Sequence, residues 1–298
     1  MKQLFTLLIL LVAVSLAGMA QTTGFFRNTS WESLQFDRRF LLTNQIKAVH
    51  VTSLQFHGKE LPKSEALLQF DASGNLKHHI ELVQNDTSKV QDFFYTSKGT
   101  LGWTHTRDKV WNKKYKSGYR FNRNQSIFQV KSYEMLRNDE VMLLDTRQYV
   151  YNTDSLLTDI RFLESGKVVK TQKYDYDKVG RVTAERFLNR EKEEYKSIEY
   201  VYNESGQLEK ITTREGNQRA HVYEYNQSGN PVKVEWLEGQ KDAEDEKLEL
   251  IATVSYEYDT KGRLVEMARI DKPMTKAARV SRKQFQYESF PQAQKTKN

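Results

Sequence analysis

The sequence predicts an all-β protein: an extended antiparallel meander of repeated β-hairpins forming a twisted or curved sheet. Tyr and Phe are abundant, with 16 and 15 copies, whereas Pro occurs four times. The aromatic residues alternate with polar ones, which is the period-2 pattern of strands with one better-buried face. Beyond the first twenty residues, no fifteen-residue window carries the apolar stripe of a helix, so we expect few helices.

The first twenty residues have the pattern of a secretory signal peptide. Lys2 precedes an apolar run, Leu4 to Leu16, and small residues follow up to Ala20. We therefore expect cleavage near Ala20 and an extracytoplasmic location: periplasm, outer surface or secreted. No later stretch reaches the roughly 18 apolar residues of a membrane-spanning helix, so no transmembrane segment is expected after cleavage. The chain has no cysteine and hence no disulfide framework.

A nine-residue motif repeats along the chain and organises it. The motif reads aromatic-x-aromatic-Asp/Asn-x-x-Gly-polar-apolar, and its clearest copies are Tyr174 to Val182 and Tyr256 to Leu264. Glycine-equivalent positions recur every 23 to 33 residues from Gly74 to Gly262. The other copies begin at Leu68, Phe93, Tyr119, Tyr149, Tyr200 and Tyr223, and a partial copy begins at Phe285.

Each motif predicts one hairpin. Asp or Asn at the first position of a type I turn accepts a hydrogen bond from the backbone two residues on, and Gly at the fourth position adopts the left-handed conformation. In this register Tyr176 faces Val182, and Arg follows Gly in the copies whose turns begin at Asp177 and Asp259. The residues assigned to these turns are Asp71, Gly74, Gly99, Asp177, Gly180, Arg181, Gly206, Gly229, Asp259, Gly262 and Arg263.

The repeat also sets the predicted domain organisation. Residues 1–20 are the signal peptide, and residues 21–65 form an N-terminal β segment that is loosely repeat-like. Residues 66–291 hold the hairpin repeats, and residues 292–298 are a polar tail. Variable turns join successive hairpins, and the longest of them, Glu238 to Glu249, is expected to be a protruding solvated loop.

The motif resembles the YD repeat, also called the Rhs repeat, of bacterial envelope and secreted proteins. The match is strongest in Tyr174 to Val182 and Tyr256 to Leu264. In large members of that family the sheet encloses a toxic C-terminal domain. This chain is expected to be a short member without a toxin or core domain, since only a polar tail follows the repeats. The resemblance implies the hairpin architecture and an association with envelope and carbohydrate contacts.

No motif for catalysis or metal binding stands out in the sequence. There is no Gly-x-Ser-x-Gly elbow, no phosphate-binding glycine loop and no His-Glu-x-x-His motif. His78 and His79 are adjacent, so on a strand they point to opposite faces and cannot bind one ion together. The acidic stretch Asp242 to Glu246 lacks the ligand spacing of a calcium site. We predict no enzyme activity, no cofactor and no metal.

Two rows of tyrosines are the candidate binding residues. Aligned hairpins place Tyr174, Tyr200, Tyr223 and Tyr256 in one row and Tyr176, Tyr202, Tyr225 and Tyr258 in the next. Such a surface could stack on sugar rings or on a partner. Equally, tyrosine suits a half-buried sheet face with its hydroxyl in water, and packing within the sheet alone would explain both rows.

The sequence favours a non-enzymatic protein of the cell envelope whose Tyr-rich sheet serves binding or structural contact. The expected partner is envelope polysaccharide or another envelope protein. The alternative is a periplasmic carrier or assembly factor that holds an apolar ligand or an outer-membrane client. The net charge of +7 is spread among acidic residues, so no nucleic acid is expected. An outer-membrane barrel is disfavoured, because strands such as Lys196 to Tyr202 carry charges where a lipid-facing band should be apolar.

Overall fold

The protein is built almost entirely from antiparallel strands. The computed structural model describes residues 38–56, 64–84, 86–124, 126–136, 140–240, 247–272 and 279–290. The predicted signal peptide, the polar tail and the acidic stretch Asp242 to Glu246 lie outside these residues. No helix in the described part of the chain has the length and apolar character needed to cross a membrane.

Within the described residues, one short helix and eighteen strands follow one another. Helix α1 and strand β1 fall in the predicted N-terminal segment, β2 spans the predicted boundary between residues 65 and 66, and the remaining strands fall in the predicted repeats. The elements are α1 (Arg38–Thr43), β1 (Ile46–Phe56), β2 (Ser64–Phe70), β3 (Leu76–Val83), β4 (Asp86–Tyr95), β5 (Leu101–Asp108), β6 (Lys113–Phe121), β7 (Ile127–Met135), β8 (Val141–Tyr151), β9 (Leu157–Glu164), β10 (Lys167–Tyr176), β11 (Val182–Leu188), β12 (Glu194–Tyr202), β13 (Leu208–Glu215), β14 (Asn217–Tyr225), β15 (Pro231–Gly239), β16 (Glu249–Tyr258), β17 (Leu264–Asp271) and β18 (Val280–Ser289).

The strands form a single closed sheet. Each strand from β1 to β18 pairs with the next in antiparallel fashion, and β18 pairs back with β1. At this seam Val49 of β1 lies between Leu68 of β2 and Tyr287 of β18. The all-β fold of repeated antiparallel hairpins is therefore confirmed, and the structure adds that the meander closes on itself.

Two kinds of turn lie at the two ends of the sheet. The motif turns, which we call tip turns, join β2 to β3, β4 to β5 and so on to β16 and β17. In the turn that begins at Asp177, Gly180 has φ +84° and donates its N–H to the Asp177 carbonyl. The Asp177 carboxylate accepts the N–H groups of Val179 and Arg181, at 3.0 and 2.9 Å. The other turns, called far turns, vary in length and sequence.

A β-bulge fixes the register at every tip turn. Each of the eight tip-turn hairpins has its register shift just before the second aromatic residue of the motif, as between Asp175 and Tyr176. Tyr176 consequently faces Val182, and Tyr258 faces Leu264. A bulge increases the local twist, so the repeated bulges favour a curved sheet over a flat one.

The core lies on the sheet face that carries the tyrosine rows, called here the tyrosine face. Its main cluster of buried apolar residues belongs to β15–β18 and β1–β4, the strands around the seam, and Leu41 of α1 joins them. Closing a sheet crowds side chains on the enclosed side and spreads them on the other. We therefore assign the tyrosine face to the enclosed side, and we call the other side the outer face.

Candidate functional site

The second tyrosine row ties each hairpin to the one before it. The Tyr176 hydroxyl donates to the Leu157 carbonyl of the preceding hairpin at 2.7 Å, at the tip-turn end of the sheet. Burial raises the pKa of Tyr151 and Tyr225 to about 12, which keeps both hydroxyls protonated as donors. The same bond, called a tyrosine rung, joins Tyr95 to Leu76, Tyr151 to Ile127, Tyr202 to Val182, Tyr225 to Leu208, Tyr258 to Pro231 and Tyr287 to Leu264.

The first tyrosine row is packed into the sheet. Tyr174 and Tyr256 are buried, and Tyr200 and Tyr223 are half-buried. The Tyr200 hydroxyl donates to the Glu185 carboxylate at 2.7 Å, and that buried carboxylate also accepts the side-chain amide of Gln172. These contacts give the tyrosines a role inside the sheet. Ligand binding by the two rows stays a prediction.

The predicted turn residues also link neighbouring hairpins. Arg181 Nε donates to Asp177 Oδ2 at 2.6 Å, and its guanidinium lies 4.5 Å from the ring centre of Tyr202 in the next hairpin. Arg263 repeats the arrangement with Asp259, over the ring of Tyr287 at 5.0 Å. Burial raises the Asp177 pKa, but the hydrogen bonds from Arg181 and Val179 outweigh it, so the net pKa is lowered.

The outer face carries a cluster of exposed aromatic side chains that the sequence reasoning missed. Phe94 of β4, Trp103 and His105 of β5 and Lys116 of β6 form this aromatic patch. The Phe94 ring centre lies 6.0 Å from Trp103 and 5.2 Å from His105, and the Trp103 and His105 rings stack at 6.4 Å. Lys116 Nζ stands 4.9 Å from the Trp103 ring centre. Phe94 and Trp103 remain 42 and 46% exposed.

Strand register assembles the aromatic patch. Phe94 faces Trp103 across β4 and β5, and Trp103 faces Gly118 on β6. A Cβ atom at Gly118 would meet no heavy atom within 4 Å, so there is open space beside the indole. His105 faces Lys116 in the same sheet. Burial lowers the pKa of His105, and the Lys116 ammonium lowers it further, so the imidazole is neutral at neutral pH.

Polar groups line a cleft beside the aromatic patch. The cleft has a volume of about 240 Å³, and its lining includes Asp92, His105, Arg107 and Lys114. Asp92 is held in place by Arg107 Nη2, which donates at 3.0 Å, and by His78 Nδ1 at 2.8 Å. The site therefore combines exposed ring faces with cationic and neutral hydrogen-bonding groups.

The two adjacent histidines lie on different faces of β3. His78 contacts Asp92 on the outer face, whereas His79 lies on the tyrosine face, with Nε2 3.8 Å from the Glu81 carboxylate. Among the described residues, no group of three or more histidines and carboxylates is placed to hold a metal ion.

A sequence signal for the aromatic patch existed in the motif itself. The middle position of aromatic-x-aromatic faces outward, and the clearest copies place Asp175 and Glu257 there. In the Phe93-Phe94-Tyr95 copy this position is aromatic. Trp103 occupies the facing position on the partner strand. Two large aromatic residues at outward positions depart from the pattern together, which marks the outer face of this hairpin.

Comparisons with known proteins identify the family. The Teneurin YD-shell family model matches residues 145–295. A search of curated proteins finds no match. Among solved structures, the chain is similar to a porin-like protein from Bacteroides uniformis, with 9% identity, a TM-score of 0.45, and coverage of 82% of this chain and 98% of that one.

The TcdB2-TccC3 structure without its hypervariable C-terminal region is also similar. It has 11% identity and a TM-score of 0.30, and the alignment covers 75% of this chain but only 19% of that one. The family model carries the assignment, because it matches half of the chain and contains the four clearest motif copies. This chain belongs to the Teneurin YD-shell family.

Proposed function

We propose that this protein is an exported, non-enzymatic shell protein of the cell envelope that binds carbohydrate at the aromatic patch. The observation that carries the proposal is the pair of exposed rings, Phe94 and Trp103, beside open space at Gly118. Membership of a shell family supports a structural or binding role over a catalytic one.

The ring faces suit a sugar. An aromatic ring has a negative face, and the C–H bonds on one side of a pyranose present a weakly positive apolar surface to it. Trp103 and Phe94 are tilted by 58° to each other, so their faces form a bent platform and not one flat plane. Such a platform can contact more than one sugar unit of a polysaccharide chain.

Hydrogen-bonding groups beside the platform suit the hydroxyls of a sugar. Arg107 has a side chain 58% exposed, and its ion pair with Asp92 fixes the guanidinium plane. The Lys116 ammonium lies over the Trp103 ring, and the neutral His105 ring stacks against the indole. A small number of positioned polar groups next to an apolar surface is the general composition of a ligand site.

The carrier alternative stays a prediction. It would need an apolar cavity, and the two clefts described here are lined by polar as well as apolar residues. The cleft near α1 has a volume of about 320 Å³, and Gln45 and Asp71 line it together with Leu41 and Ile46.

Retention on insoluble polysaccharide and on peptidoglycan sacculi tests the proposal. We expect Trp103→Ala to reduce retention at least tenfold, about the effect of losing one stacking ring and its desolvated surroundings. Tyr195→Ala is the matched control, since Tyr195 is 42% exposed but lies on β12, outside the patch.

Two results would count against the aromatic patch. Equal retention of wild type and Trp103→Ala, with unchanged thermal midpoints, would remove the patch from the binding surface. Loss of retention in Tyr200→Ala or Tyr223→Ala, but not in Trp103→Ala, would instead assign binding to the tyrosine face.

A further inference from the structure

Exposed apolar residues collect at three neighbouring far turns. Val83 ends β3, Val110 and Trp111 lie between β5 and β6, and Leu136 follows β7. Four consecutive apolar residues, Val141 to Leu144, then begin β8. We call this set the apolar tips; they lie at far turns, at the end of the sheet opposite the tip turns. Their exposed fractions run from 41% at Leu144 to 72% at Trp111.

The apolar tips project from the sheet. Lys114, Met135 and Val141 face one another in one row across β6, β7 and β8, so the hairpin ends lie side by side. Thr146 is the first residue of β8 that pairs with β9, through Leu163, and the β9–β10 hairpin continues beyond that pair to its turn at Ser165 and Gly166. Residues 141–143 therefore extend past this hairpin, which at about 3.4 Å per residue is roughly 10 Å.

Both faces of the projecting strand are apolar. Val141 and Leu143 point to the outer face, and Met142 points to the tyrosine face. A protein partner with a flat surface would cover one side of such a strand and leave the other in water. An apolar medium covers both. An exposed apolar run of this kind lowers solubility, so such a run indicates that a partner or a membrane covers it.

The apolar tips are the densest set of exposed apolar residues at the described far turns; beside other far turns such residues are exposed singly, as Val168 and Ile270 are. The far turn at Glu164 to Lys167 is polar, and so are those at Asn189 to Glu193 and Glu215 to Asn217. Clustered apolar exposure is therefore not a general property of far turns in the described chain.

Lysines surround the most exposed of the apolar tips. Lys109 and Lys114 are exposed on either side of Val110 and Trp111, and Lys113 pairs with Glu134 at 2.9 Å. The Asp108 carboxylate accepts the Trp111 N–H, so it fixes the turn. Glu140 is exposed at the neighbouring tip. Tryptophan favours the membrane interface, and lysines beside it attract anionic headgroups.

We propose that the apolar tips insert into the headgroup region of an anionic phospholipid bilayer and hold the closed sheet against the membrane surface. The apolar residues enter the boundary between headgroups and acyl chains. The lysine stems lie along this apolar surface, and their ammonium groups remain among the phosphates. This contact uses none of the residues of the aromatic patch; Lys114 also lines the cleft beside the patch, so the test variants leave it unchanged.

Vesicle flotation tests the proposal with the full chain. The probes are vesicles of phosphatidylcholine alone and of phosphatidylcholine with phosphatidylglycerol. We expect wild type to float with the anionic vesicles, and the double variants Val110→Ser/Trp111→Ser and Met142→Ser/Leu144→Ser each to lower partitioning about tenfold or more. Val179→Ser is the matched control, because Val179 is 73% exposed at a tip turn on the other end of the sheet.

A charge variant separates the electrostatic contribution to membrane binding from the contribution of the apolar residues. Lys109→Gln is expected to reduce flotation with the anionic vesicles and to leave the weaker flotation with phosphatidylcholine unchanged. Thermal midpoints of all variants should match wild type, because the substituted side chains are exposed.

Three outcomes would overturn the proposal. They are no flotation of wild type with either vesicle, equal losses in Val179→Ser and in the tip variants, and self-association of wild type that the tip variants abolish without any flotation. The last outcome would assign the apolar tips to a contact between two copies of the chain. Measuring the retention of the same tip variants on polysaccharide distinguishes failure of the membrane proposal from failure of the carbohydrate proposal.

Discussion

The half of the chain that the family model matches differs in kind from the described part before it. Within residues 145–295 the motif is most regular, outward middle positions such as Asp175 and Glu257 are polar, and Arg181 and Arg263 each reach into the next hairpin. Residues 64–144 hold the aromatic patch and the apolar tips. Where the repeat is regular, its side chains contact one another. Where it departs from the pattern, side chains remain for a ligand or a surface.

The largest difference between the two parts is expected in core substitutions. Leu264 is fully buried in the matched part, so Leu264→Ala should lower the free energy of unfolding by about 2 to 5 kcal/mol. Leu143→Ala, at a residue 49% exposed among the apolar tips, should change it by less than about 0.5 kcal/mol. Urea denaturation measures both. Similar losses in the two variants would contradict the division into scaffold and surface.

Acid should weaken the matched part through His221. Burial, with Arg269 and Arg219, lowers the pKa of this imidazole to about 4, and its ring lies 4.5 Å from Trp236. The unfolded chain therefore takes up this proton first, near its ordinary pKa of about 6.5. Stability is full above that pH and is lost as the pH falls towards 4, by up to about 3 kcal/mol.

Denaturation midpoints between neutral pH and about pH 4 measure this loss. His221→Gln cannot titrate, so its stability should depend less on pH over this range. An identical pH dependence in the variant and the wild type would show that His221 is not responsible.

Within the matched part, exchanging turn residues between the glycine-containing tip turns and the β8–β9 tip turn, which lacks the glycine, should have opposite effects. Gly180→Val and Gly262→Val place a β-branched residue at φ +84° and +73°, which should cost about 1 to 2 kcal/mol each. At the corresponding position of the β8–β9 turn, Ser155 already has φ +63°, so Ser155→Gly should stabilise by up to about 1 kcal/mol. Thermal midpoints measure these changes in stability. A higher thermal midpoint for Gly180→Val than for the wild type would contradict the turn geometry.

The smallest changes in stability are expected when Tyr and Phe are exchanged at the tyrosine-rung position of the two parts. Tyr202→Phe removes a hydroxyl that donates to the Val182 carbonyl at 2.9 Å and should cost about 1 kcal/mol. Phe121 occupies the equivalent position in the β6–β7 hairpin, where a hydroxyl would face the Leu101 carbonyl. Phe121→Tyr should therefore stabilise by about 0.5 to 1 kcal/mol. If neither variant shifts the urea midpoint, the rungs do not stabilise the sheet.

The regular hairpins were predictable in detail, because their geometry depends on residues within one turn. Asp177 contacts Val179 and Arg181, two and four residues away, so the motif alone carries that information. The tyrosine rungs were not predicted. The Tyr176 hydroxyl bonds Leu157, nineteen residues earlier, and only the stacking of one hairpin on the next shows which carbonyl it meets.

The candidate site shows the same limit. The sequence aligned the tyrosines correctly into rows, but periodicity does not say which face of a sheet is enclosed. In the sequence, Trp103 and Phe94 look like any other aromatic residues of a strand. They are exposed because the tyrosine face, and not theirs, is the enclosed one. Binding was therefore predicted on the tyrosine face, whereas the structure leaves its exposed rings on the outer one.

The sequence by itself determined the hairpin unit, the position of each tip turn and the pairing of Tyr176 with Val182. Local hydrogen bonds and the left-handed glycine suffice for these features, whatever the rest of the chain does. Only the tertiary structure decided that the sheet closes, as in the contact of His50 with Glu288, 238 residues apart in the sequence. Closure depends on the twist summed over eighteen strands, and no single motif contains that sum.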